Sequence, residues 1–218
     1  MNVGGGLGRV ARQDEPPIDL AAYAAVLARH LTPYGVTVAA EPGDYLMKDT
    51  AVLVGEVVTV ERRGGTTFVG LDLGFNVNPS YVLYRFAQEL VPLRSPLRPR
   101  TQRVTVAGHI NEAGDLFAED YPFPEVEEGE LVAILNAGGY HRGQSSTHCL
   151  RPFAAMAFVA EDGTTTVRPS AKTGGGASPD GAAVDTGVPA FAENTGAATV
   201  TRQDTVGPNS PPVPLRSR

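Results

Sequence analysis

Short runs of apolar and β-branched residues follow one another closely between residues 45 and 160, and this spacing limits the fold more than any other feature of the sequence. The runs cover residues 51–60, 66–73, 104–107, 131–137 and 154–159. Turn residues such as Gly64-Gly65 and Glu128-Gly129 separate them, as is usual between strands of a sheet. We therefore predict an antiparallel β-domain over residues 45–160, either a barrel or a sandwich, with a short helix at 81–90.

The first 44 residues show a different pattern. Apolar residues recur at helical spacing over 18–31 and are followed by Pro33 and Gly35, which predicts one helix that ends there. Residues 36–40 then form a β-branched run that leads into a tight turn. Because a helix followed by a strand with a loop at the strand end is typical of α/β barrels, we interpret residues 1–44 as the end of a TIM (β/α)8 barrel. The predicted class is α+β.

The last part of the chain, residues 161–218, has a low-complexity composition. Gly, Ala, Thr, Ser, Pro and Asp dominate it, and Phe191 is its one aromatic residue. Such a composition cannot bury enough apolar surface to offset the entropy lost on ordering. We predict a disordered tail.

The charge pattern argues against two classes of partner. The net charge is −6 and Lys48 and Lys172 are the only lysines, so the sequence offers no basic surface for nucleic acid. No apolar run approaches the roughly 20 residues that span a bilayer. Together with a single cysteine, Cys149, these features predict a soluble, cytoplasmic protein with neither a nucleic-acid nor a membrane partner.

Two glycine-containing turns are candidate phosphate-binding loops. Gly4-Gly5-Gly6-Leu7-Gly8 follows a predicted strand, where glycines let backbone N–H groups approach an anion. Taken alone, this segment favours an ordinary turn over a phosphate-binding loop. Glu41-Pro42-Gly43 follows the second strand, and its residues by themselves favour an ordinary turn as well.

Polar residues also collect in two later loops. Residues 108–115 place His109, Asn111, Glu112 and Asp115 in one loop, which by itself favours a solvated loop over a catalytic one. Gly138-Gly139-Tyr140 ends another strand with small residues beside a tyrosine. His141 and His148 stand near Cys149, but without a second cysteine or paired spacing they predict no metal site.

The order of these motifs resembles a known family. The glycine loop is followed by Glu41-Pro42-Gly43 some forty residues later, then by the G-x-x-x-E-x-x-D loop, by Gly138-Gly139-Tyr140 and by Arg151-Pro152. This series is similar to that of the pyridoxal-phosphate-dependent decarboxylases of fold type III, which act on diaminopimelate, ornithine, arginine and related precursors in amino-acid biosynthesis. The resemblance covers residues 1 to about 160. It implies the cofactor pyridoxal 5'-phosphate, an N-terminal α/β barrel, a C-terminal β-domain, and a homodimer whose subunits share active sites.

The resemblance also implies roles for individual residues. The cofactor phosphate would be held by the two turns, and Tyr140 would contact the cofactor. Glu112 matches a substrate-binding glutamate that reaches into the neighbouring subunit, and Tyr84 and Asp44 fall at substrate-binding positions. The implied cofactor-binding residues are Gly4, Gly5, Gly6, Glu41, Gly43 and Tyr140, while Asp72, Gly74 and Asp115 match further family positions.

The sequence departs from the family where a proton donor is needed. The family's cysteine, which is the usual general acid, is replaced by Asn111, whose amide cannot donate a proton as a thiol does. Because histidine titrates near neutral pH, His109 is a candidate replacement, and Cys149 is another.

The sequence also departs where the family binds substrate carboxylates. Asp44 stands in place of the arginine after Glu-Pro-Gly, and Ser80 stands in place of a second arginine. These exchanges predict a substrate other than diaminopimelate itself, such as a cationic, amidated or carrier-tethered amino acid.

The family's cofactor lysine lies upstream of the glycine loop, and Lys48 does not correspond to it. We therefore expect the chain to be an incomplete decarboxylase that derives from a truncated gene, a misplaced start codon or a split enzyme. The alternatives are a non-catalytic subunit that pairs with a complete homologue, or a degenerate fragment.

Overall fold

The computed structural model describes residues 1–8, 16–86 and 88–170, together with the backbone of residues 198–202. In these ranges the α-helices are α1 (Leu20–Leu31), α2 (Gly43–Met47), α3 (Ser80–Tyr84) and α4 (His141–Gln144). The strands are β1 (Ala51–Arg63), β2 (Thr66–Leu71), β3 (Leu90–Pro92), β4 (Gln102–Ala107), β5 (Leu116–Phe123), β6 (Leu131–Ile134), β7 (Ala155–Val159), β8 (Thr165–Arg168) and β9 (Ala198–Arg202). The α+β class is confirmed as a strand-dominated sheet with few helices.

Two segments at the start of the chain lie side by side and run parallel. Asn2 and Ala39 form a parallel bridge, and the Val3 N–H donates to the Ala39 carbonyl at 2.9 Å. Because parallel strands need a crossover, the helix α1 lies between them in sequence. The predicted helix over 18–31 is confirmed with a start two residues later, where the Asp19 carboxylate caps it.

The sheet of the β-domain has the order β5-β4-β2-β1-β9-β7-β8, and β6 pairs with both β1 and β3. Most pairs are antiparallel, as predicted. However, β2 pairs with β4 in parallel, with Thr67 opposite Val104, and β7 pairs with β9 in parallel, with Ala157 opposite Val200. The prediction of a wholly antiparallel sheet is wrong for these two pairs.

The predicted helix at 81–90 is wrong beyond Tyr84. Arg85 adopts a φ of 54°, a left-handed conformation that ends α3 after five residues. Leu90 then begins β3, which pairs with β6. The polypeptide therefore returns to the sheet within the range predicted to be helical.

Two strands lie in the range predicted to be a disordered tail. Thr165–Arg168 pairs with β7, and Ala198–Arg202 lies between β1 and β7. The prediction of disorder from residue 161 is therefore wrong for these segments, because their Thr and Val residues favour extended backbone and neighbouring strands supply hydrogen bonds. The rest of the predicted tail, 171–197 and 203–218, lies outside the described residues.

The apolar core lies in the β-domain. Its largest fully buried side chains are Phe123, Leu53, Leu71, Leu73, Leu90 and Ile134. In α1, by contrast, every residue is at least partly exposed to solvent. Among the described residues, no helix is both long and apolar enough to cross a lipid bilayer.

Candidate active site

The two predicted phosphate-binding turns lie against each other. The Glu41 N–H donates to the Gly4 carbonyl at 2.8 Å, and the Asn2 side-chain amide donates to the Glu41 carboxylate at 2.5 Å. Gly4 has a φ of 74°, and a Cβ on Gly5 would collide with the Glu41 carbonyl oxygen. Glycine is therefore required at both positions for the turns to meet.

Tyr140 joins the same group of residues. It precedes α4 with a φ of 65°, and its hydroxyl lies on Gly43 at the place where a Cβ would stand. The ring is 58% exposed, so it covers the turn while still facing solvent. The structure thus brings together all six residues that were predicted to bind the cofactor.

A buried histidine next to Tyr140 fixes the start of α4. His141 places Nδ1 at 2.8 Å from the Gly139 carbonyl and Nε2 at 3.1 Å from the Ser80 hydroxyl. Burial lowers the pKa of His141, which favours the neutral ring: Nδ1–H donates to Gly139, and the Ser80 hydroxyl donates to Nε2. Sequence reasoning considered His141 only as a metal ligand and missed this role.

The partners of His141 include a position that was predicted to matter for substrate. Ser80 is buried and stands where the family has an arginine. The Gln88 side-chain oxygen lies 3.2 Å from His141 Nε2, but it accepts its hydrogen bond from the Asn78 amide at 2.8 Å, because the unprotonated Nε2 has no hydrogen to donate. The space near Ser80 is thus lined by uncharged hydrogen-bonding groups.

Asp44 forms an ion pair within its own helix. The Lys48 ammonium lies 3.3 Å from its carboxylate and 5.5 Å from the centre of the Phe86 ring. The Lys48 side chain is 14% exposed and that of Asp44 is 36% exposed. Because Lys48 neutralises Asp44, the carboxylate is not a lone negative charge awaiting a cationic substrate.

Tyr84 lies close to this first group of residues. Its hydroxyl accepts a hydrogen bond from the Gln144 amide at 3.2 Å, and the Gln144 backbone N–H donates to the Tyr140 carbonyl. The ring of Tyr84 is 65% exposed. The Tyr84 hydroxyl therefore lies beside α4, while that of Tyr140 lies against Gly43.

The remaining predicted residues form a second group around the loop 108–115. Asp115 shapes this loop, because its carboxylate accepts N–H bonds from Phe75 at 2.7 Å and from Ile110 at 2.6 Å. Burial raises the pKa of Asp115, against the effect of these bonds. Gly108 packs on the carboxylate, where a Cβ would collide with it. Asp115 is therefore a structural clamp in this chain.

The Asp115 clamp presents Glu112 at the surface. The Glu112 carboxylate lies 3.3 Å from Nε2 of His148, whose ring packs against Phe75 with centroids 4.8 Å apart. Asn111 is exposed beside it. Sequence reasoning missed the contact with His148, since 36 residues separate the two side chains.

The two candidate acids named from the sequence have different surroundings. His109 is tied by its backbone, since its N–H donates to Leu73 and its carbonyl accepts from Arg151 at 3.2 Å. Burial, and then the charge of Arg151, lower the pKa of His109. Cys149 is exposed on the turn next to His148.

Sequence comparison identifies the family. Residues 40–138 match the family described as pyridoxal-dependent decarboxylase, C-terminal sheet domain. A diaminopimelate decarboxylase of Methanothermobacter thermautotrophicus is 33% identical over 175 residues, which are 77% of this chain and 41% of the relative. A second, from Aquifex aeolicus, is 29% identical over 77% of this chain and 40% of its own length.

Solved structures give the same result. The diaminopimelate decarboxylase of Helicobacter pylori complexed with L-lysine superposes with a TM-score of 0.66 at 27% identity, over 78% of this chain and 41% of that one. The fold and these matches agree on one family, the pyridoxal-dependent decarboxylases of fold type III. The chain belongs to this family as a C-terminal part, and it is similar to diaminopimelate decarboxylases. It spans about 40% of the length of the curated relatives it matches.

Proposed function

We propose that this chain supplies the C-terminal part of an active site that decarboxylates an amino acid with pyridoxal 5'-phosphate. The observation that carries the proposal is the contact of the glycine loop with the turn Glu41–Gly43 beneath the Tyr140 hydroxyl. Backbone N–H groups at such turns suit a phosphate dianion, and an exposed tyrosine suits a planar ring. When bound, the cofactor supplies an electron sink for the electrons left by departing carbon dioxide.

Each group of residues has its own task in this proposal. Gly4, Glu41 and Gly43 shape the phosphate site, since their N–H groups already donate to Asn2, Gly4 and Glu41. The N–H groups of Gly5 and Gly6 hold the phosphate, and Tyr140 positions the ring. Asp44 and Tyr84 face the substrate beside them, while Glu112 reaches from its loop into the site of a neighbouring subunit. We propose a homodimer, or a heterodimer with a complete homologue, in the cytoplasm.

The surroundings of Asp44 and Ser80 bear on the substrate. Diaminopimelate carries a second carboxylate, for which the family uses arginines, whereas this chain has the Asp44–Lys48 pair and a buried serine. We propose an amino acid whose far end is neutral or already amidated. A strongly cationic substrate is less favoured, because Lys48 already pairs with the Asp44 carboxylate.

In the first experiment the 218-residue chain is titrated with pyridoxal phosphate, and binding is detected by the absorbance and fluorescence of the cofactor. Carbon dioxide release is then measured with a panel of amino acids. Gly5→Ala should abolish binding, because the added Cβ pushes Glu41 away. Gly8→Ala is the matched control, since the space around its Cβ is open. Equal binding by wild type and Gly5→Ala would overturn the proposed site.

A second candidate function is a non-catalytic partner subunit, which is favoured by the amide of Asn111 at the general-acid position. Cofactor binding without turnover, together with a mixed dimer on adding a complete relative, would support it. Amine release by this chain with the cofactor would exclude it.

A further inference from the structure

The contact between His148 and Glu112 has the arrangement of a proton-transfer pair. The imidazole Nε2 lies 3.3 Å from a Glu112 carboxylate oxygen, and the face of Phe75 limits how the ring can turn. The side chains are 40% and 52% exposed, so both are reachable from a neighbouring subunit or from solvent. A carboxylate that holds one nitrogen of a histidine leaves the other nitrogen to exchange a proton with a reacting group.

The proposed reaction needs such a group in this loop. Loss of carbon dioxide leaves an electron pair on the α-carbon of the substrate, and the product amine forms only when that carbon takes up a proton. Asn111 precedes Glu112 and has no proton to give at neutral pH. We propose that His148, oriented by Glu112, is the residue that donates this proton. The inference rests on the proposed function and identifies a catalytic residue within it.

The geometry favours His148 over the other two candidates. The backbone of His109 is fixed from both sides, by Leu73 and by Arg151, and its ring is half-buried, where a charged imidazole is disfavoured. Cys149 stands on the same turn as His148, but His148 makes the contact with the glutamate. Of the three residues, His148 combines an exposed ring with a carboxylate that can stabilise its charged form.

The proton balance is simple. Glu112 holds Nε2–H, so the protonated ring gives up the proton from Nδ1 to the α-carbon as the new C–H bond forms. His148 is left as the neutral Nε2–H tautomer, which Glu112 still stabilises, and solvent restores the proton. The charges of His148 and Asp115 also interact, and Arg151 acts on Asp115 as well.

The pair itself is tested without cofactor. Nitrogen-15 NMR at alkaline pH reports which nitrogen of neutral His148 carries the proton. We expect the Nε2–H tautomer in the wild-type chain and a shift towards a mixture in Glu112→Ala, with no shift in Glu161→Ala, which alters an exposed turn. A His148 tautomer that does not respond to Glu112→Ala would overturn the pair.

The donor role is tested by turnover. His148→Gln should slow amine release by about 100-fold or more while leaving the affinity for pyridoxal phosphate unchanged. It should also raise the share of turnovers that release aldehyde instead of amine, because the α-carbon of the substrate then lacks its proton donor. His30→Gln, at the exposed end of α1, is the matched control.

The outcomes separate the two claims. Wild-type-like amine release by His148→Gln would overturn the donor role and leave the proposed function standing. A wild-type chain that binds no cofactor would overturn the proposed function and the donor role with it. Cofactor binding without amine release would overturn the donor role and support the non-catalytic subunit.

Discussion

Two opposing effects, burial and a backbone hydrogen bond, act on the pKa of Asp72. Its carboxylate accepts the Glu56 N–H at 2.7 Å, beside Gly55 in β1. Burial raises its pKa to about 6, although the bond from Glu56 acts in the opposite direction. A carboxyl with this pKa is largely charged at neutral pH, so the charged form weakens the fold there.

We expect Asp72→Asn to become more stabilising as the pH rises. The folded-state pKa of about 6 lies above the ordinary value of 3.8, so wild-type stability falls between these pH values and the loss is complete above pH 6. The amide keeps an acceptor for Glu56 and removes the charge. Urea unfolding at about pH 4 and pH 7 should show a gain on the order of 1 kcal/mol at the higher pH only.

Asp162→Asn is the control with the opposite sign. Bonds from Thr164 lower the pKa of Asp162, so its charge favours folding above the unfolded-state pKa and this variant should lose stability as pH rises. Parallel trends in the two variants would contradict the assignment for Asp72.

His141 carries the second prediction at this scale. His141→Leu removes the bonds to Gly139 and Ser80 and leaves buried polar atoms unpaired, which should cost about 2 kcal/mol. The same change should weaken pyridoxal phosphate binding, because Tyr140 loses its anchor. Thermal unfolding and cofactor titration measure the two effects. His30→Leu, at an exposed site, should change stability by less than about 0.5 kcal/mol; equal effects of both variants would refute the role of His141.

Contacts between individual residues could be predicted from the sequence only where both residues belong to recognisable motifs. The glycine loop, Glu41–Gly43 and Tyr140 follow one another in a recognisable order, so their meeting in space could be predicted. The bond between His141 and Ser80 spans 61 residues, and that between Glu112 and His148 spans 36. Such contacts depend on the sheet topology, and local spacing does not reveal them.

At the scale of elements, β1 organises the domain. It runs for 13 residues, pairs with β6 and β9 at its start and with β2 at its end, and shifts register between Val57 and Thr59. Its first half is buried and its second half is largely exposed. The bulge therefore lets one strand serve two parts of the sheet.

Leu53→Ala should be strongly destabilising, because the fully buried side chain packs within the core cluster. We expect a loss of about 3 kcal/mol in the free energy of unfolding, measured by chemical denaturation. Val58→Ala is the control in the same strand, since Val58 is 49% exposed. A loss at Val58 as large as that at Leu53 would contradict the assigned faces of β1.

The strand predictions are correct where apolar residues dominate, as in β1, β2 and β4. β5 was missed because Glu119, Asp120 and Pro122 interrupt its alternation. Asp120 has a φ of 47° and lies where the pairing with β4 shifts register, so the polar residues sit at a bulge. The polar residues hide the alternating pattern of β5, which is stabilised by its pairing with β4.

At the scale of the whole molecule, β9 connects two parts of the sheet. It pairs with β1 on one side, where Val200 faces Val52, and with β7 on the other. The low-complexity composition concealed this strand, because five residues of ordinary β-propensity are not distinctive within a polar segment. Its existence depends on partners far away in the sequence.

A chain that ends at Arg202 should be more stable than one that ends at residue 197, because the shorter chain leaves edges of β1 and β7 without their partner. Thermal unfolding and light scattering should show a lower Tm and more aggregation for the shorter chain. The two differ only in the residues of β9, so indistinguishable behaviour would refute its place in the sheet.

The central place of β9 also determines when folding can finish during synthesis. Ala51 pairs with Thr201, about 150 residues further along the chain, so the ribosome must translate for on the order of ten seconds after β1 before its partner exists. Throughout that interval the first strand of the domain has an open edge that other nascent chains can occupy. Slow elongation lengthens this interval and should lower the yield of correctly assembled protein in the cell. Chaperone protection before the last strand emerges should raise it.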